Sequence, residues 1–201
     1  MNNSHYSYLE LLRKETDPSR RREMSLAHWE REREKEAAIG WHEIQDREEK
    51  ECLFDRLDSL FASGQPRVPG PFATWDVTAA INLPCRSAER LFLIDDLHRK
   101  CLPALKCCYE PGNPWYVFEN YNHLSYRLHF EEMPAHIDQW PVEILPYGDP
   151  CYLLAPDFSS GIIAVLHQSI TVFGSLLPFV RRNLPLAFTH IVQSDDWQRD
   201  S

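Results

Sequence analysis

The chain has 201 residues and a mass of 23.6 kDa, enough for one domain with an appendage. It carries 21 Lys+Arg against 30 Asp+Glu, a formal net charge of -9. That balance argues against a free nucleic-acid binder, which needs a Lys/Arg surface, and suits a basic protein partner. Hydrophobic residues make up 43% and aromatics 12%, which excludes wholesale disorder; no apolar run is long enough for a membrane-spanning helix.

The opening residues, Met1 to Tyr8, lack the basic region of a secretory signal, so a cytoplasmic location is expected. About half of all charged side chains fall within residues 1–60. Glu30 to Glu36 alternates in sign at every position. Asp17-Pro18 is a helix start, with Asp17 as N-cap and Pro18 in the first turn. The pattern predicts helix from about Pro18 to Ala62, with a break possible near Gly40. Residues 65–71, with three prolines and a glycine, then interrupt the chain.

Residues 74–83 carry two patterns. Trp75, Val77, Ala79, Ile81 and Leu83 alternate as in a strand, while Thr74 and the Ala pair favour a helix, which is the reading adopted. Ser87 caps a stronger helix whose apolar positions recur to Cys108, with Pro103 inside it. After Pro111-Gly112-Asn113-Pro114 the period changes to two. Residues 115–119, 124–130, 142–145, 151–154, 161–166 and 169–173 read as strands. In 124–130, Leu124, Tyr126, Leu128 and Phe130 share an apolar face opposite Ser125, Arg127 and His129. Ser175 caps a last helix from Leu176 to about Arg182. The expected fold class is α+β: N-terminal helices, then a mostly antiparallel sheet of about five strands, then a closing C-terminal helix. The expected organisation is a charged helical region 1–64, a Pro-rich linker 65–73 and an α+β domain 74–201.

No catalytic motif of high specificity occurs: no Gly-x-Ser-x-Gly elbow, no C-x-x-C and no phosphate-binding glycine loop. The six cysteines read as buried free thiols. His98-x-x-Cys101 with Cys108, or Cys151 with His167, would be the residues of an alternative small metal-binding or Cys/His-dependent enzyme. His98 and Cys101 lie on the core stripe, however, and zinc needs a closed set of four ligands. No catalytic residue, metal or cofactor is assigned. The acidic and aromatic residues of the loops form a better set. Glu131, Glu132, Asp138, Trp140, Tyr147, Asp149 and Asp157 are the candidate partner-binding residues, the acids to attract a cation and the aromatics to anchor it.

The run Tyr147-Gly148-Asp149-Pro150-Cys151-Tyr152-Leu153-Leu154-Ala155-Pro156-Asp157-Phe158-Ser159-Ser160-Gly161, leading to His167-Gln168-Ser169-Ile170-Thr171-Val172-Phe173-Gly174-Ser175-Leu176-Leu177, is distinctive. It resembles the closing segment of small bacterial α+β immunity proteins of polymorphic and type VI secreted toxins. The resemblance covers about thirty residues and implies a non-catalytic antitoxin that occludes a cognate toxin's active site or assembly. The acidic charge suits a basic toxin, plausibly a nuclease, as partner, with no nucleic acid or membrane contacted directly. An adaptor role for the helical N-terminal part is a third reading.

Overall fold

A computed structural model describes residues 3–62, 65–84, 87–119, 124–133, 151–165 and 168–194. Helix α1 spans Asn3–Lys14 and α2 Pro18–Ala37. The Asp17 carboxylate accepts from the Ser19 and Arg20 amides, so this N-cap is as expected. The long helix predicted from Pro18 to Ala62 is cut after Ala37. Gly40 sits at φ +82°, a left-handed turn that ends the helix, and β1 (Trp41–Glu43) follows. A Cβ on Gly40 would run into the His129 carbonyl oxygen, which passes against it. Helix α3 (Arg47–Ser59) starts at the Asp46 cap, whose carboxylate accepts from Glu49 N. A two-strand ribbon, β2 (Phe61–Ala62) and β3 (Gln65–Pro66), leads to β4 (Phe72–Asp76).

The helix adopted for 74–83 is corrected: β4 takes its first residues and α4 (Thr78–Ile81) is one short turn. The alternation of apolar residues prevails because β4 is paired on both sides. Thr74, read as favouring a helix, instead meets Thr171 hydroxyl to hydroxyl at 2.8 Å across two strands. Asp76 serves the turn, accepting from Thr78 N at 3.0 Å. Helix α5 (Ala88–Cys108) matches its expectation, with Ser87 accepting from Arg90 N and Pro103 inside. Strands β5 (Trp115–Glu119), β6 (Leu124–Leu128), β7 (Cys151–Leu154), β8 (Gly161–Val165) and β9 (Ser169–Phe173) follow. The strand read at 142–145 lies outside the described residues. A 3₁₀ turn (Gly174–Leu176) opens α6 (Leu177–Arg182), so Ser175 lies inside the turn and does not cap the helix. The chain then adds β10 (Ile191–Ser194).

The architecture is α+β with an antiparallel sheet, but the sheet has eight strands, in the order β1-β6-β5-β7-β8-β9-β4-β10, and not about five. Two of the extra strands, β1 and β4, were hidden inside stretches read as helix; β10 lies beyond the helix read as the last element. Helices also lie along the chain between strands, not only at its start and close. Residues 65–71, the Pro-rich stretch, run from the α3 region into β4, which pairs with β9 and with the edge strand β10.

Both faces of the sheet are covered. Alternate residues Val117, Cys151, Leu153, Ile162 and Val172 face α5 and α6 in one core. Phe118, Tyr152, Leu154, Ile163 and Phe173 face Ile44 and the Leu53, Leu57 and Leu60 side chains at α3 in a second. The face of β6 read as polar is therefore not open: Ser125 is fully buried, and Arg127 is ion-paired to Glu49 of α3.

Candidate functional site

One row of partners crosses the sheet: Leu128 opposite Trp115, Tyr116 opposite Leu154, Leu154 opposite Gly161, and Gly161 opposite Phe173. The row marks one end of five strands. The loops leaving it bring together the end of α5, the turn after β6, the β7–β8 turn and the 3₁₀ turn.

The β7–β8 turn, Ala155 to Ser160, is closed by Ala155 N donating to Ser160 O and Phe158 N to Ala155 O, both at 2.9 Å. Phe158 adopts φ +62°, a strained setting for a bulky residue. The strain is held by packing: its buried ring meets Phe118 and Tyr116, and the Arg56 guanidinium lies 4.2 Å from its centroid. The turn thereby holds Asp157 outward. Its carboxylate accepts from Ser159 N at 3.0 Å and Ser159 Oγ at 2.7 Å. These bonds, backbone first, and the Arg56 charge hold its carboxyl pKa below the usual carboxylate range. It is anionic at neutral pH.

Ser160 is buried and shares a hydroxyl bond with Ser175 Oγ at 2.9 Å, while also accepting from Ser175 N. Gly174, at φ +65°, lies so close to Ser159 and Ser160 that no side chain fits there. Across from this wall, α5 ends at Cys108, and Glu110 accepts from Asn113 Nδ2 at 3.2 Å. Buried Trp115 contributes to the lining. The result is a cleft of about 450 Å³ whose lining includes the Glu110 and Asp157 carboxylates, Asn113 and three serines. Among the described residues, none that lines it is basic.

Tyr109, next in sequence to Cys108, links the cleft to the turn after β6. Its hydroxyl donates to Glu131, and its ring meets Phe130 edge-on at 5.0 Å. That hydrogen bond holds the Glu131 carboxyl pKa below its ordinary value, whereas burial and the neighbouring carboxylate push the Tyr109 hydroxyl pKa up to about 12. Glu131 lies 3.6 Å from His129 Nδ1, and Glu132 lies 2.7 Å from His42 Nε2, with the two imidazoles 4.9 Å apart.

Three expected partner-binding residues, Glu131, Glu132 and Asp157, thus come to the same end of the sheet, all exposed. Asp138, Trp140, Tyr147 and Asp149 lie outside the described residues. The sequence gives no sign that Glu110 and Asn113 belong to a site, and Ser175, read there as a helix cap, joins Ser159 and Ser160 in the cleft wall. The sequence shows only the turns themselves: Asp157-x-Ser159 is a side-chain-closed turn, and Glu110 precedes a Pro-Gly turn into a strand.

The alternative set is arranged otherwise. His98 and Cys101 are buried in α5. Burial drives the His98 imidazole down to about 4, partly offset by Asp95, and pushes the Cys101 thiol up to about 12. Neither is a thiolate or imidazolium ready for chemistry at neutral pH. Among the described residues no group of three or more His, Cys, Asp or Glu side chains could hold a metal ion. Cys151 is buried, and His167 lies outside the described residues. Of the thiols read as buried, Cys101 and Cys151 are so, whereas Cys52 and Cys107 are exposed on helix surfaces. Among the described residues no helix is long and apolar enough to cross a membrane.

A family described as "Protein of unknown function (DUF2716)" matches residues 32–177. The chain is also 26% identical over 124 residues to a Bacillus subtilis (strain 168) protein described as "Uncharacterized protein YxiI". That alignment covers 60% of this chain and 76% of the relative. No solved structure matches the chain. The family match includes the cleft and the Glu131–Glu132 turn; it leaves out α1, the first two-thirds of α2, all of α6 but Leu177, and β10.

Proposed function

We propose that this chain, which belongs to the DUF2716 family, works by binding, as an immunity protein that neutralises a basic secreted toxin by covering it. The cleft carries this reading: its two carboxylates, amide and hydroxyls are acceptors suited to a Lys or Arg side chain, and among the described residues none that lines it is basic, Arg56 lying behind the turn that bears Asp157. Glu131 and Glu132 extend the negative field along the same end of the sheet. The likeness of residues 147–177 to immunity proteins supports the class of partner, and the net charge of -9 supports its sign. The protein acts in the compartment where the toxin would harm its own cell, and contributes no turnover.

The partner to test is a basic secreted effector encoded next to the gene. Association is measured at about 50 and 200 mM salt for the native chain and for Glu110→Lys with Asp157→Lys. Steering predicts a fast, salt-sensitive on-rate that falls about tenfold or more in the double variant. An on-rate indifferent to both changes removes the cleft from the interface. Turnover of a substrate by the purified chain alone would overturn the binding reading altogether.

A further inference from the structure

The hairpin of α1 and α2 is built around one contact. The Tyr8 ring stacks on His28 with centroids 3.8 Å apart, and its hydroxyl meets Ser25 Oγ at 2.8 Å. His28 is covered, at 4% exposure, and α1 runs back along α2. These contacts do not close the space between the two helices. Beside the stacked rings a groove of about 360 Å³ stays open, lined by Leu11, Met24 and Ala27 and by Arg31, Glu32 and Lys35. Leu11 is 55% exposed there. The family match begins at residue 32, so most of this lining lies outside it.

The groove has two unlike ends. Met24, Ala27, Arg31 and Lys35 follow one another at three or four residues, so they share one face of α2. Along that face the order is apolar, then cationic. At about 1.5 Å per residue, Arg31 lies roughly 10 Å beyond Met24 and Lys35 roughly 16 Å. Leu11 belongs to the Met24 end, because Tyr8, one turn earlier in α1, already meets Ser25 and His28. Arg31 Nε donates to the Ala27 carbonyl at 3.0 Å, which lays the guanidinium along the helix. The one acid in the lining, Glu32, is answered by Lys35 at 2.6 Å. A pair this exposed contributes little, so the ammonium turns to a bound anion at small cost.

We propose that this groove binds a linear amphiphile with an anionic head, a carboxylate carrying an alkyl chain of about ten carbons in all. The tail lies over Leu11, Met24 and Ala27, and the head meets Arg31 and Lys35. Volume sets the length: roughly twelve heavy atoms, at about 30 Å³ each, the share of one water in the liquid, fill a groove of about 360 Å³. Charge sets the head, since a guanidinium and an ammonium both donate to a carboxylate and have no acceptor to offer a cation. The order of the two ends sets the class. A helix from another protein would bring apolar side chains every three or four residues, one of them onto the Arg31–Lys35 end. A single chain has one tail and one head, in the order the groove has them. Seating the tail also takes the exposed carbons of Leu11 out of water.

Isothermal titration of decanoate, below its micellar range, into the full chain tests this. The expected result is one site per chain with Kd at or below about 1 mM, decanol at least about tenfold weaker and decyltrimethylammonium weaker again. Ala27→Trp, at an exposed helix position, fills the groove and abolishes binding. Arg31→Gln with Lys35→Gln weakens decanoate at least about tenfold and leaves decanol unchanged. Circular dichroism confirms that each variant is folded. No saturable binding, an affinity for the trimethylammonium equal to that for decanoate, or decanoate binding untouched by Ala27→Trp would each overturn the proposal. So would binding to phosphatidylserine vesicles in place of decanoate, undiminished by Ala27→Trp, which would make the hairpin a contact with a lipid surface. Glu110→Lys with Asp157→Lys leaves decanoate binding as it is, so the groove and the toxin cleft are read separately.

Discussion

Acidification should cost this protein stability through one side chain. His98 is buried on α5, and its imidazole titrates near 4 when folded against an ordinary value of 6.5. The fold therefore favours the neutral ring. At pH 7 the ring is essentially neutral in both states and contributes almost nothing to the difference. As pH falls through 6.5 the unfolded chain takes up a proton that the folded chain refuses, so stability drops. The loss reaches about 2 kcal/mol at pH 5 and levels off at roughly 3 kcal/mol below pH 4. Against a typical total of about 5–15 kcal/mol this is a sizeable fraction. Urea unfolding at pH 7 and pH 5 reads it, with His98→Leu as reference. The variant pays its own packing cost at both pH values, but the carboxylates contribute equally to both chains. The native chain should lose about 2 kcal/mol more than the variant between the two pH values. Equal losses, or a His98 ring resonance that titrates above pH 6, would refute the assignment of a neutral buried imidazole.

Other expectations follow from burial and backbone geometry. With native protein, a thiol reagent should label Cys52 and Cys107 quickly, and Cys101, whose thiol is pushed up to about 12, only on unfolding. Leu97→Ala, at a fully buried α5 position, should cost about 2–5 kcal/mol in urea unfolding. Gly174→Ala forces a left-handed φ and a clash with the Ser159 carbonyl; a loss of about 1–3 kcal/mol or more is expected, with a weakened cleft response to the cationic partner.

The parts of the fold that were legible are those whose signal is local. Asp17 and Ser87 announce their helices because a side-chain acceptor next to free amides is a short-range fact. Strands β5 to β9 read correctly because each is a short apolar or alternating run of its own, most of them bounded by turn residues. Strands β1 and β4 did not, since Trp41 and Phe72–Asp76 become strands through partners far along the chain: β1 through β6, β4 through β9 and β10. Tertiary pairing overrode their local composition. The polar face assigned to β6 failed for a related reason. Arg127 is polar, yet it is answered by Glu49 on a helix whose position over the sheet no periodicity reveals. At the candidate site, the exposed acids Glu131, Glu132 and Asp157 were found by type and loop context. Glu110 and Asn113 were missed because what makes them a site is the wall opposite them, built from residues 155–160 and 174–175.

The placement of β4 has a consequence for how the chain is made. It leaves the ribosome early, but its neighbours come late: Thr74 waits for Thr171, 97 residues downstream, and then for β10. Until then an apolar strand with two bare edges stays unsatisfied, so the sheet cannot close during synthesis of its first half. Such long-range closure makes for slow maturation. The nascent protein is most exposed to aggregation, and most dependent on holding chaperones, in the interval before its last forty residues emerge.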